Sequence, residues 1–101
     1  MAQATVLYHA PQDPAAFDKY YFETHVPIAK KIPGLRGYTV STGPIQAVAG
    51  SAPHLVAILQ FDSMSDLAAA LTSPEGQAAA ADIANFATGG ATVLVHDTKS
   101  L

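Results

Sequence analysis

The sequence has no cysteine and no tryptophan, and it has few charged residues of either sign. The lack of cysteine excludes disulfides and thiolate chemistry. Charged residues make up 13% of the chain, against ~25% in an average domain. The net charge is -3 and the basic residues form no stripe, which argues against a nucleic-acid partner.

Long apolar runs are also missing. No uninterrupted stretch of about 18 apolar residues exists, so no membrane span is predicted. The N-terminal segment MAQATVLYHA has no basic region followed by a long apolar run, so it does not resemble a signal peptide. A cytoplasmic location is therefore expected.

The chain nevertheless contains a large share of hydrophobic residues, 50% of its 101 positions. This length predicts a single domain over residues 1–101. A domain of this size buries a modest share of its surface. High apolar content with few charges indicates that part of the apolar surface is buried between subunits, so we predict a homodimer.

Turn and capping signals divide the chain into strands and broken helices. Strands are predicted over residues 4–9, 35–42, 54–61 and 91–96. The first helix begins at Pro14 after the N-cap Asp13, is interrupted by Pro27, and is followed by a turn over residues 28–32. The second helix starts at Ser63, restarts at Ser73 and ends near Phe86.

This order, β-α-β-β-α-β, predicts an α+β ferredoxin-like fold with a four-stranded antiparallel sheet. Its helices cover one face of the sheet. The first, third and fourth strands carry apolar residues at odd and even positions, so the other face also needs cover. Two such sheets packed face to face would bury this second face and enclose a cavity.

His25 is the strongest candidate for chemistry. It lies four residues after Tyr21, so the two side chains neighbour each other on a helix. An imidazole beside an apolar cavity can exchange protons near neutral pH. The alternative is a half-buried histidine that is hydrogen-bonded to a carbonyl or carboxylate and has no chemical role.

Other aromatic side chains are candidate cavity walls, with core packing as the alternative. Tyr20 and Tyr21 lie about 100° apart on a helix, so they are expected to point in different directions. The predicted substrate-binding set is Tyr8, Tyr20, Tyr38, Phe61 and Phe86.

No cofactor or metal is predicted. The sequence has no dinucleotide fingerprint, P-loop or nucleophile elbow. His9, His54 and His96 fall at strand ends without the spacing of a metal site, although His9 and His96 would lie near each other if the first and fourth strands were neighbours.

One segment of the sequence contains Phe17, Tyr20, Tyr21, His25, Pro27, residues 32–35 and Tyr38. In these positions above all, the chain resembles the EthD family, whose name comes from ethyl tert-butyl ether degradation. Many members have Trp where this chain has Tyr21. The resemblance implies a dimeric α+β barrel that acts on small aromatic or lactone compounds, with His25 and Tyr21 in the cleft.

Two functions follow as hypotheses. The first is a cofactor-free enzyme acting on a small hydrophobic or aromatic compound, of isomerase, decarboxylase, cyclase or monooxygenase type. His25 would transfer the proton and Tyr21 would assist it as the second catalytic residue. The second is a non-catalytic ligand-binding or accessory protein of a degradation pathway. A stable dimer with no ligand is a third, structural alternative.

Overall fold

The computed structural model describes all residues from Met1 to Leu101. Four strands alternate with helical segments in the order β-α-β-β-α-β. The strands are β1 (Ala2–Tyr8), β2 (Gly37–Val40), β3 (Leu55–Phe61) and β4 (Ala91–Asp97). The helices are α1 (Pro14–Tyr20), α2 (Val26–Ala29), α3 (Met64–Thr72) and α4 (Pro74–Asp82). The predicted ferredoxin-like α+β fold is confirmed.

The strands form one antiparallel sheet in the order β2-β3-β1-β4. Val6 of β1 lies opposite Ala57 of β3 and Val93 of β4. The second strand is shorter than predicted. Backbone hydrogen bonds from Arg36 N to Gln60 O and from Ser41 N to Val56 O, each 2.8 Å, continue its pairing beyond both ends.

Local capping explains where the helices begin. The Asp13 carboxylate accepts a hydrogen bond from Ala16 N at 3.2 Å, and Pro14 occupies the first turn of α1. Ser63 caps α3, and Ser73 caps α4 by accepting from Gly76 N at 3.0 Å. These caps satisfy backbone donors that have no partner within the helix, and all three were predicted.

Pro27 does not interrupt the first helix, contrary to the prediction. Residues Tyr21–His25 form a π-helical turn that joins α1 to α2, and Val26 N donates to the carbonyl oxygen of Tyr21. A proline ring clashes with the carbonyl four residues earlier in a regular α-helix. We attribute the continued helix to this wider turn, which relieves the clash.

The corner between α3 and α4 depends on Gly76. A Cβ atom at this position would lie 2.0 Å from the carbonyl oxygen of Ala70. Only glycine therefore allows the two helices to approach so closely. This corner sets the path of α4, which carries Asp82 at its last position.

The helices cover one face of the sheet, and alternate residues of β1 and β3 are buried beneath them. The uncovered face carries Leu7, Val56, Ile58 and Leu94 among polar side chains. The edge strand β4 is exposed on both faces, since Val93, Leu94 and Val95 are 50%, 49% and 43% exposed.

None of the helices has the length and apolar composition of a membrane span.

Candidate functional site

An apolar cavity of about 90 Å³ lies between the helices and the covered face of the sheet. Small side chains leave this space open: Ala4 and Ala57 on the sheet, and Ala29, Gly76 and Ala79 on the helices. Larger side chains in these positions would fill the layer completely. His25, Tyr8, Tyr21 and Tyr38 also line the cavity.

His25 presents one ring nitrogen to a carboxylate and leaves the other free. Its Nδ1 lies 2.9 Å from Asp82 Oδ2, and the side chains are only 5% and 8% exposed. A carboxylate can only accept, so Nδ1 carries the hydrogen of this bond. Nε2 of the neutral ring then holds a lone pair.

The nitrogen that holds that lone pair is not completely buried. Nε2 makes no hydrogen bond with the protein, whereas no fully buried side-chain nitrogen or oxygen lacks a partner. Nε2 is therefore not sealed in the core, and the ring lines the cavity. This arrangement, with the base oriented through its other nitrogen, is the one used in acid–base catalysis.

Asp82 is held by three hydrogen bonds. Tyr20 Oη donates to Oδ1 at 2.7 Å, Asn85 Nδ2 donates to Oδ1 at 3.0 Å, and His25 donates to Oδ2. Burial acts to raise the pKa of Asp82, but these bonds outweigh it and the pKa lies below its ordinary value. Asp82 is therefore ionised at neutral pH and accepts the hydrogen of His25 Nδ1.

Three phenols form the polar part of the cavity wall. The hydroxyls of Tyr21 and Tyr38 are 2.7 Å apart. Burial raises the pKa of Tyr8, Tyr21 and Tyr38, and the neighbouring Tyr38 hydroxyl raises that of Tyr21 further. These groups stay protonated at neutral pH, so they act as hydrogen-bond donors and not as bases.

Three of the predicted substrate-binding residues do not line this cavity. Phe61 is fully enclosed in the core. Phe86 is packed between the rings of His25 and Tyr20, at centroid distances of 4.8 and 5.4 Å. The hydroxyl of Tyr20 donates a hydrogen bond to Asp82, so Tyr20 holds that carboxylate in place and does not line the cavity. Tyr20 and Tyr21 point in different directions, as expected.

The sequence analysis missed Asp82. One signal was available: an acidic residue in the last turn of a helix is unfavourable for the helix dipole. Its presence there, within an alanine-rich segment, suggests a role outside the helix. The alternative for His25, a hydrogen bond to a carboxylate, is present together with access to the cavity.

A larger hollow of about 510 Å³ lies near the second strand. It contains a second pair, His54 Nε2 and Asp18 Oδ1, 2.8 Å apart, with side chains 23% and 52% exposed. Most of the residues around it are exposed, including Phe22 and Pro44. Such walls provide little desolvation, so we take the buried cavity as the candidate site.

The other histidines do not form a metal site. His9 bonds Thr92 Oγ1, whereas His96 lies opposite Gln3 at the other end of the β1–β4 pair. Their predicted approach was wrong because the two strands are antiparallel. No group of three or more ligand-type side chains that could hold a metal ion is present.

Comparison with known proteins identifies the family. The EthD domain model matches residues 9–90, which contain His25 and Asp82. The chain belongs to the EthD family. An 11.0 kDa Rhodococcus erythropolis protein of the thcB-thcC intergenic region resembles this EthD chain at 41% identity, covering 100% of it and 98% of that protein.

Solved structures share the fold of this EthD protein. An EthD family protein from Bacillus halodurans is 32% identical, with a TM-score of 0.88 over 98% of this chain and 99% of that one. A dimeric ferredoxin-like protein from Thermobifida fusca is 15% identical, with a TM-score of 0.70 over 96% and 90%. SnoaB, a cofactor-independent oxygenase from Streptomyces nogalater, is 14% identical, with a TM-score of 0.64 over 99% and 93%.

Proposed function

We propose that this EthD protein is a cofactor-independent enzyme that moves a proton on a small apolar or aromatic compound. The observation that supports this is the buried His25–Asp82 pair, which leaves Nε2 without a protein partner on a ring that lines an apolar cavity. SnoaB, which shares the fold, is described as a cofactor-independent oxygenase. That description is compatible with the proposal but is not its basis.

The arrangement suits removal of a proton from carbon or oxygen next to a carbonyl or aromatic ring. His25 Nε2 takes the proton, and the electron pair moves to the substrate oxygen as an enolate or phenolate. Asp82 stabilises the imidazolium that forms. A tyrosine hydroxyl of the cavity wall donates a hydrogen bond to the negative oxygen. Return of the proton to another atom would complete an isomerisation.

Hydrogen exchange tests this step without knowledge of the full reaction. The protein would be incubated in deuterium oxide with a panel of small cyclic ketones, lactones and hydroxyaromatic acids, and deuterium uptake followed by NMR. We expect enzyme-dependent uptake at a carbon next to an oxygen-bearing carbon. His25→Ala should abolish it, and His54→Ala, the matched change in the exposed pair, should preserve it.

Two results would contradict the proposal. Uptake that survives His25→Ala contradicts the role of His25. Binding without uptake in the unchanged protein contradicts catalysis. Circular dichroism of both variants shows whether the fold is intact, so that a loss in His25→Ala alone reports chemistry. His25→Gln, which keeps a polar group of similar size, provides a second variant if the alanine change unfolds the protein.

Ligand binding without turnover is the second candidate. The observation that favours it is that every completely buried side-chain nitrogen and oxygen already has a hydrogen-bond partner within the protein. The Tyr21 and Tyr38 hydroxyls bond each other, and His25 bonds Asp82. In this case His25→Ala would retain much of the affinity for compounds of the same panel.

We further propose that two copies associate through the uncovered face of the sheet. Leu7, Val56, Ile58 and Leu94 give that face an apolar centre, and the Thermobifida fusca neighbour is described as dimeric. Ultracentrifugation should show a dimer that Leu94→Glu converts to a monomer. Val95→Glu, on the same strand but the opposite face, should remain dimeric. A monomeric unchanged protein would contradict this assembly.

A further inference from the structure

Three of the side chains that line the cavity are partly exposed to solvent. Among the residues that line it, Leu71, Ala80 and Val93 are exposed. Tyr38 and Ile83 are half-buried, and the remaining residues are buried. Leu71, Ala80 and Val93 lie on α3, α4 and β4, and all three line the same cavity. We refer to these three residues as the mouth.

The topology explains this opening. Val93 lies opposite Val6 in the register, so its side chain is on the covered face of the sheet. However, α3 packs on β1 and β3 and leaves the edge strand β4 uncovered. Val93 is therefore half exposed while it also lines the cavity.

The chemistry of the mouth restricts which molecules can enter the cavity. Its three side chains are hydrocarbons, and none can replace the water around a charged group. Moving an ion through such an opening costs far more than moving a neutral molecule. A neutral ring with one hydroxyl would keep its apolar part against the wall and present the hydroxyl to His25 Nε2.

We infer that uncharged small aromatic compounds enter the cavity from the β4 side, through the mouth, and that Val93 limits their size. This inference rests on the proposed function, because it assumes that the cavity takes a ligand. Association through the uncovered face leaves the mouth free, since Leu94 points to that face and Val93 to the other.

Phenol is a suitable probe, because it combines a small ring with one hydroxyl. Its dissociation constant and its association rate would be measured from the NMR signals of the His25 ring. Val93→Trp should weaken binding or slow entry by roughly tenfold. Val95→Trp is the matched control, because Val95 is on the same strand and face, is similarly exposed and does not line the cavity. It should change the constant by less than about twofold.

Size and charge give independent readouts. Val93→Ala should admit phenols with longer 4-alkyl groups, which the unchanged protein binds weakly. Benzoate, a charged analogue, should bind much more weakly than phenol to every variant. Exposed strand positions tolerate aromatic residues well, so both Trp variants should fold. Circular dichroism and the mass of the assembly in solution would check this.

The outcomes separate this inference from the proposed function. If phenol perturbs His25 and Val93→Trp behaves like Val95→Trp, entry occurs elsewhere, for example beside Tyr38, and the inference is overturned while the proposed function stands. If Val93→Trp alters the mass of the assembly, a partner covers the mouth and the inference is also overturned. If phenol does not perturb His25 in the unchanged protein, the proposed function fails as well.

Discussion

The molecule contains two histidine–aspartate pairs with nearly equal geometry and different surroundings. His25 and Asp82 are 2.9 Å apart, and His54 and Asp18 are 2.8 Å apart. The first pair is almost completely buried, whereas the Asp18 side chain is 52% exposed. Phe17 lies between the two regions, with its ring 4.9 Å from that of His54 and 5.9 Å from that of Tyr21.

The difference shows that distance alone does not assign a role to such a pair. Water can replace either partner of the exposed pair, so the pair contributes little to stability. Asp82 has no such replacement, and its hydrogen bonds come from Tyr20, Asn85 and His25. A buried and fully bonded carboxylate holds the imidazole in one tautomer and one orientation, as a general base requires.

The largest expected effect is on stability. Asp82→Ala removes one partner of a buried pair and should lower the free energy of unfolding by about 3 kcal/mol or more. Asp18→Ala, the matched change in the exposed pair, should lower it by less than ~1 kcal/mol. Urea unfolding measures both. Equal losses in the two variants would mean that burial does not distinguish the pairs.

A smaller effect is expected from the phenols beside the buried pair. Tyr21→Phe and Tyr38→Phe each remove one partner of the 2.7 Å hydroxyl contact and should cost about 1 kcal/mol of unfolding free energy. The double variant should cost less than the sum, because no hydroxyl is then left without its partner. Additive losses in urea unfolding would show that the two hydroxyls do not interact.

The smallest expected effect is on acid stability, because burial and hydrogen bonding oppose each other at Asp82. Its folded pKa lies below the unfolded value of 3.8. The stabilisation is therefore present above that value and is lost as pH falls through the folded pKa. Urea midpoints between about pH 5 and pH 2 should fall less in Asp82→Asn than in the unchanged protein. A parallel fall would contradict the lowered pKa.

Local signals predicted much of the fold. The caps at Asp13, Ser63 and Ser73 involve hydrogen bonds within one turn of the chain, so the residue types alone indicate them. The order of strands and helices followed from the same kind of signal. The π-helical turn was missed, because a proline shows that a regular helix is disturbed but not whether it ends or widens.

The candidate site was less predictable. His25 and Tyr21 are close in sequence, and the family resemblance also pointed to them. Asp82 lies 57 residues from His25, and no local pattern shows that these two residues meet. The same limit applies to Tyr20, Phe61 and Phe86. Their aromatic character indicated burial, but only the packing of α4 on the first helix determines which rings line the cavity.

The most direct test of the central claim is the protonation of the two His25 ring nitrogens. In protein labelled with nitrogen isotope in its histidines, NMR correlates each ring nitrogen with its protons and distinguishes the tautomers. We predict that neutral His25 carries its hydrogen on Nδ1, bonded to Asp82, and that phenol shifts the Nε2 resonance. A hydrogen on Nε2, or an Nε2 signal unchanged by phenol, would contradict a base that faces the cavity.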